Sequence, residues 1–483
     1  MQKIIDTYFA FLKERYYMIS NIVSVINQFL YNNILIIILL LGGIYFTFKT
    51  KFVQFRLFKE QLHSVMEKPD DDSSVSSFQA LMVSTASRVG TGNIVGVSTA
   101  ICLGGFGAVF WMWIIAIIGS ASAFIESTLS QIYKKRGPNG SYGGPAYYID
   151  TALNNRPLAI IFSIFLILTY GLGFNMLASY NLQSTFSGYS FYNETYSPWL
   201  IGLILALLVA YCLFGGGSRI LKITSVMVPI MGLLYVCVAL LVIALNIGNL
   251  PIVIERNFSD AFNFNAILGG FGGSCMMYGI KRGLFSNEAG VGSSPNASAS
   301  ADVTHPVKQG LVQVLSVFID TLLLCSATAL LCLCSGIEPT AKLSGAPYVQ
   351  AALSNTLGAI GPIFITISMI LFAFTTLLGN LYYVDNAITY LLGHVPSKTF
   401  MTVYRIVASS IIFVGAGLSA GLLWDIADVM MGGMTLINIP VIIYLGNYAF
   451  RALKDYEKQK KEGKKPIFHA KDIDLPHKVD YWQ

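Results

Sequence analysis

Apolar residues in this chain run in blocks about one bilayer long, divided by short charged or Gly/Pro-rich stretches. About 20 apolar residues at helical rise cross a hydrocarbon core, so each block predicts a membrane helix. The pattern predicts a preliminary helix over 33–48. It predicts ten more over 77–101, 105–133, 157–187, 198–214, 220–247, 261–281, 309–336, 358–391, 401–423 and 432–450. Residues 1–33 alternate apolar and polar positions at helical spacing (Ile4, Ile5, Tyr8, Phe9, Leu12) and predict an amphipathic interfacial helix. The tail 451–483 is lysine-rich and predicts a basic cytoplasmic segment. The expected fold class is an all-α polytopic membrane protein with 11 transmembrane helices. It divides into an N-terminal segment (1–76), a core (77–450) and the tail.

Two blocks break their own pattern. The first core block carries Arg88, Gly90, Thr91, Gly92 and Asn93 in its middle. The sixth carries Gly269, Gly270, Phe271, Gly272 and Gly273. Glycine weakens a helix interior by about 1 kcal/mol relative to alanine. Peptide groups freed at membrane depth persist only where protein, water or a ligand satisfies them. Two interrupted helices, five apart and oppositely directed, predict a 5+5 inverted repeat, with halves at about 77–247 and 261–450. Close packing through small residues is the alternative reading of the glycines.

Composition agrees with a membrane protein: 54% of the 483 residues are hydrophobic and 12% charged, against about 25% charged in soluble domains. Most of the 31 lysines and arginines fall on one side of the eleven-span topology if the tail is cytoplasmic and the N-terminus external. That bias is the one expected of inner-facing loops. All seven cysteines (102, 212, 237, 275, 325, 332, 334) lie in apolar blocks and read as small core residues.

The candidate chemistry is that of a binding site. A break at Gly90–Asn93 offers amide donors from Thr91 and Gly92, and side-chain oxygens from Thr91 and Asn93. A small zwitterion suits such a site, with its carboxylate on the donors and its ammonium on carbonyls around Gly269–Gly272. The eighth core block holds Thr375 and Thr376. Their hydroxyls and the Phe372 carbonyl, with carbonyls of Ala86 and Val89, make five neutral oxygens suited to a monovalent cation. The hydroxyls could instead bond back to their own helix. Arg88, Asp320 and Glu126 lie inside predicted spans, where a bare charge costs at least ~2.5–3.5 kcal/mol; Arg88 is therefore expected to pair with Asp320 or Glu126. Residues 282–295 read as a cytoplasmic loop. No nucleophile–base pair, metal-ligand spacing or phosphate loop stands in any span, so the sequence offers no catalytic site.

Arg88-Val89-Gly90-Thr91-Gly92-Asn93-Ile94, Phe110-Trp111-Met112-Trp113, Gly143-Gly144-Pro145-Ala146-Tyr147-Tyr148 and Ser286-Asn287-Glu288-Ala289-Gly290 resemble the alanine/glycine:cation symporter family. The resemblance spans about 75–450. It implies sodium-coupled, in some members proton-coupled, uptake of small neutral amino acids. The implied fold is the ten-helix inverted-repeat core of the amino acid–polyamine–organocation type. It also implies a sodium site shared by the first and eighth core helices, which falls on Ala86, Val89, Phe372, Thr375 and Thr376. In the third core helix the family pattern sets Asn, two variable residues, then Gln beside the substrate. Here the match is Asn175 followed by Ala178, which opens a larger substrate such as glutamine. The expected protein is a multi-pass cell-membrane symporter of a neutral amino acid, with no nucleic-acid partner. A non-translocating amino acid sensor is the rival.

Overall fold

The computed structural model describes residues 2–69, 74–137, 140–263 and 274–482, with residues 2–13 and 16 as backbone alone. α1 (Gln2–Leu30) runs through a π turn at Tyr31–Leu35 into α2 (Ile36–Lys49). The expected interfacial helix and preliminary span are thus one helix, and Tyr17–Lys49 is its apolar part. No glycine or proline separates them, so nothing stops propagation. Lys51 and Phe52, at φ of 55° and 57°, turn the chain into α3 (Val53–Arg56) and α4 (Phe58–Met66).

α5 (Ser77–Arg88) starts with a capping box, in which Ser76 Oγ accepts from Gln79 N and Gln79 Oε1 from Ser76 N. It stops at Arg88. A π turn at Gly92–Gly96 restarts it as α6 (Val97–Gly104). α7 (Ala108–Ile132) follows, then a short hairpin of β1 (Lys135–Gly137) and β2 (Gly140–Tyr142). Next come α8 (Pro145–Leu153), α9 (Arg156–Leu166), α10 (Phe174–Ser184), α11 (Ser197–Leu213), α12 (Gly216–Leu245) and α13 (Leu250–Ala261). The chain continues as α14 (Cys275–Asn287), α15 (Pro295–Ser298) and α16 (Pro306–Val317). A π stretch at Phe318–Cys325 joins α16 to α17 (Ser326–Cys334). The last helices are α18 (Ala346–Leu357), α19 (Ile360–Leu392), α20 (Lys398–Ala416) and α21 (Ala420–Lys461).

Among the described residues, eight helical stretches are long and apolar enough to cross a membrane; Gly92–Gly104 and Ser197–Leu213 are shorter apolar helices. The first core block is absent from the eight because it is broken, as expected. α7 lies at the centre, packed on α2, α14, α16 and α21. α5 packs on α12 and α19.

Two expectations change. Residues 282–295 are not a solvated loop: every residue from 279 to 301 is buried. Lys281 and Arg282 pair with Asp428 at 2.9 and 3.2 Å. The tail, expected only to be basic and cytoplasmic, docks on the helices: Phe468, Ile473, Val479 and Trp482 are buried, and Trp482 Nε1 donates to Gln131 O at 2.8 Å. Aromatic residues scattered among lysines supply the area for that docking.

Candidate functional site

The first break is built by Asn93. In an unbroken helix the Gly90 amide would close on Ala86 O, and the Asn93 amide on Val89 O. Instead Gly90 N donates to Asn93 Oδ1 at 2.8 Å, and Asn93 N to Gly90 O at 3.1 Å. The carbonyls of Ala86 and Val89 thereby lose their helical partners. Asn93 Nδ2 donates to Asp320 Oδ1 at 2.7 Å, fixing the break to the π stretch between α16 and α17. Thr91 Oγ1 accepts from Asn181 Nδ2 at 3.1 Å.

A second break lies against the first, at Asn287–Ser294. Glu288, Gly290 and Gly292 have φ of 54°, 84° and 90°. Left-handed backbone of this kind is strained for glutamate, and tertiary bonds hold it. Ser293 Oγ donates to Glu288 Oε2 at 2.6 Å. Ser87 Oγ lies between Glu288 Oε1 (3.1 Å) and Asn380 Oδ1 (2.7 Å), two acceptors that its one proton cannot serve together. Ser286 Oγ donates to Asp320 Oδ2 at 2.9 Å. The two interruptions therefore touch through Ser87–Glu288 and share Asp320. Gly269–Gly272, the expected second break, lie outside the described residues.

A small cavity opens beside the first break, lined by Ser87, Arg88, Gly90, Thr91, Gly92, Phe174, Ala178, Phe285 and Thr376. Glycine is required there: a Cβ on Gly90 would meet Thr376 Oγ1, and one on Gly92 would lie 2.9 Å from Phe285 Cε1. Phe285 packs, with tilted rings, between Phe174 (4.6 Å) and Trp424 (4.8 Å), and the Arg282 guanidinium lies 3.9 Å from the Trp424 ring centre. Aromatic rings and an ion pair thus cover one side of the cavity.

The expected residues divide. Thr91, Gly92 and Ala178 line the cavity. Asn93 does not line it but shapes the break. Asn175 is buried, and its Oδ1 accepts from Asn380 Nδ2 at 2.9 Å. Of the expected cation ligands, Ala86 and Val89 present carbonyls without helical partners, and Thr376 Oγ1 is buried with no hydrogen-bond partner. Thr375 Oγ1 instead donates within its own helix, to Leu371 O (3.0 Å) or Phe372 O (3.2 Å). The direct pairing expected of Arg88 is not formed. Its Nη1 donates to Gln313 Oε1 at 3.1 Å, and its Nε and Nη2 lack hydrogen-bond partners. Asp320 is already served by Asn93, Ser286 and Thr321. Glu126 accepts from Asn438 Nδ2 (2.8 Å) and Gly290 N (3.4 Å), which leaves neither carboxylate needing a guanidinium at contact distance. The sequence reading missed Glu288, Asn181, Asn380 and Phe285. The repeated small and polar residues of Ser286–Ser294 were the available signal.

The model of the family described as "Sodium:alanine symporter family" matches residues 16–470. The chain is 44% identical over 466 residues to "Probable sodium/glutamine symporter GlnT" of Bacillus subtilis, covering 96% of each protein. It is 41% identical to "Amino-acid carrier protein AlsT" of the same organism (96% and 98% covered). It is 34% identical to "Sodium/alanine symporter AgcS" of Methanococcus maripaludis (91% and 98% covered). Among solved structures, MhsT in complex with L-phenylalanine overlays with a TM-score of 0.56 at 17% identity, covering 79% of this chain and 92% of that one. The shared fold is the LeuT-like transporter fold.

Proposed function

The chain belongs to the sodium:alanine symporter family, and from that premise we propose that it carries a neutral amino acid across the cell membrane together with sodium, by alternating access. The observation that carries this reading is the cavity at the Gly90–Gly92 break, where the first interrupted helix faces Ala178, Phe285 and Thr376. The amides of Thr91 and Gly92 suit a carboxylate at a helix start. Carbonyls of Ala86 and Val89 with the Thr376 hydroxyl suit a weakly held monovalent cation, Phe372 and Thr375 being the remaining members of that set. The ammonium partner, first sought at Gly269–Gly272, is better supplied by the Asn287–Ser294 interruption. We read the chain as eleven spans, a preliminary helix and a core of two inverted halves. The N-terminus is external and the tail cytoplasmic, in keeping with the lysines beyond Arg451.

For the substrate, crowding of Gly90 by Thr376 and of Gly92 by Phe285 supports a small side chain of the alanine or glycine class. A second reading, glutamine, is favoured by Ala178 in the cavity lining and by the relative named a sodium/glutamine symporter. A competition panel of the twenty amino acids against one sodium-dependent flux in proteoliposomes separates them. Inhibition by alanine and glycine but not glutamine supports the first, and the reverse supports the second. Inhibition by charged residues alone would refute both.

A further inference from the structure

The segment between the preliminary helix and the first core helix wears its side chains inside out. Gln54 and Gln61 are 0% exposed and Ser64 is 1% exposed, whereas Phe55, Phe58, Leu62 and Met66 are 52%, 43%, 43% and 74% exposed. Phe58, Leu62 and Met66 recur every four residues and share one face of α4; Phe55 of α3 is exposed as well. The two glutamine amide groups donate inward: Gln61 Nε2 to Gln54 O at 2.8 Å, and Gln54 Nε2 to Thr47 Oγ1 at 3.1 Å. A short helix against water buries its apolar stripe and shows its polar one. The reversed arrangement marks a surrounding that is itself apolar.

This face is not a frayed arm. Arg56 pairs with Glu457 at 2.7 Å and Glu60 with Lys460 at 3.0 Å; Tyr456 donates to Glu60 at 2.9 Å. Glu67 pairs with Lys308 at 2.6 Å, at the start of α16. Glu60 and Glu67 are therefore both spent on the protein. Lys49, Lys51 and Lys59 are exposed, and none has a carboxylate within 4.0 Å among the described residues. The outward surface thus combines a bare apolar stripe with ammonium groups that no described carboxylate pairs with, directly after a membrane helix ends at Lys49.

We propose that α3–α4 is an interfacial foot that binds anionic lipid. The Phe55, Phe58, Leu62 and Met66 face enters the acyl boundary, and Lys49, Lys51 and Lys59 meet negatively charged headgroups. Neutral lipid satisfies the stripe but leaves the lysines without counter-charge, so the foot selects headgroups as well as lying in the interface. The foot is bolted to α16 and α21, so it fixes the preliminary helix and the start of α5 relative to the membrane plane.

The test uses the full-length protein with Phe58→Trp, reconstituted in vesicles carrying a minor fraction of acyl-brominated lipid. Fluorescence of the parent, with its five native tryptophans, is subtracted. The added tryptophan is expected to be quenched, and more strongly by brominated phosphatidylglycerol than by brominated phosphatidylcholine. The headgroup preference should be about fivefold for each lysine that meets a headgroup. Combined Lys49→Gln, Lys51→Gln and Lys59→Gln should bring the two lipids to parity while quenching itself persists. Equal quenching by both lipids in the unaltered lysine background overturns headgroup selection. No quenching by either, as when a second copy or water covers the face, overturns the foot altogether. Met66→Trp repeats the measurement at the most exposed position should Phe58→Trp not reconstitute. None of these readouts depends on transport.

Discussion

Asn93 Nδ2 donates to Asp320 Oδ1 across 2.7 Å, while Asn93 Oδ1 accepts the Gly90 amide. One side chain thus ends a helix, replaces its missing hydrogen bond and ties the break to a buried carboxylate on another element. Asn93→Ala leaves the Gly90 amide without its acceptor and Asp320 without one of its donors. An unmet buried group costs about 1–3 kcal/mol, so uptake should fall about tenfold or more and the thermal midpoint should drop. Asn93→Ala with native uptake would remove the residue from the site.

The two threonines of α19 make different predictions. Thr376 Oγ1 has no partner, whereas Thr375 Oγ1 bonds to its own helix. Thr376→Ala should raise the sodium concentration for half-maximal uptake by about tenfold, the scale of one hydrogen bond to a charged group. Thr375→Ala should change it little. The opposite ranking would move the cation away from Thr376.

Ala178 reaches the cavity and Asn175 does not. Ala178→Gln should therefore reduce uptake of glutamine relative to alanine by about tenfold or more, since pocket volume discriminates at roughly 1–3 kcal/mol per methylene. An unchanged ratio of the two fluxes would show that substrate side chains point elsewhere.

Trp482 is 8% exposed and bonds to Gln131 O at the end of α7, with Lys134 Nζ 5.3 Å from its ring centre. Trp482→Ala should destabilise the purified protein by about 3 kcal/mol, read as a lower thermal midpoint. No shift would mean that the tail adds no stability.

The break at Gly90–Asn93 was legible because glycine, asparagine and arginine together are out of place in an apolar block. The interruption at Asn287–Ser294 was not foreseen. Glycine density pointed to Gly269–Gly273, which lie outside the described residues. The decisive contacts of Glu288, with Ser87 and Ser293, join residues that no local pattern connects. Charge misled in the same way. Lys281 and Arg282 read as a cytoplasmic loop, yet Asp428, nearly 150 residues on, neutralises both. Thr375 followed the alternative already open to it, bonding to its own helix, because nothing at sequence level orients a hydroxyl. The predominantly helical, membrane-spanning character was legible, since hydrophobic length is a local property.

Labelled alanine and glutamine uptake into proteoliposomes, with and without an inward sodium gradient, tests the central claim most directly. The account predicts accumulation of one of the two above equilibrium when the gradient is present, and its loss when sodium is equal on both sides. Equal uptake without any cation gradient would contradict symport.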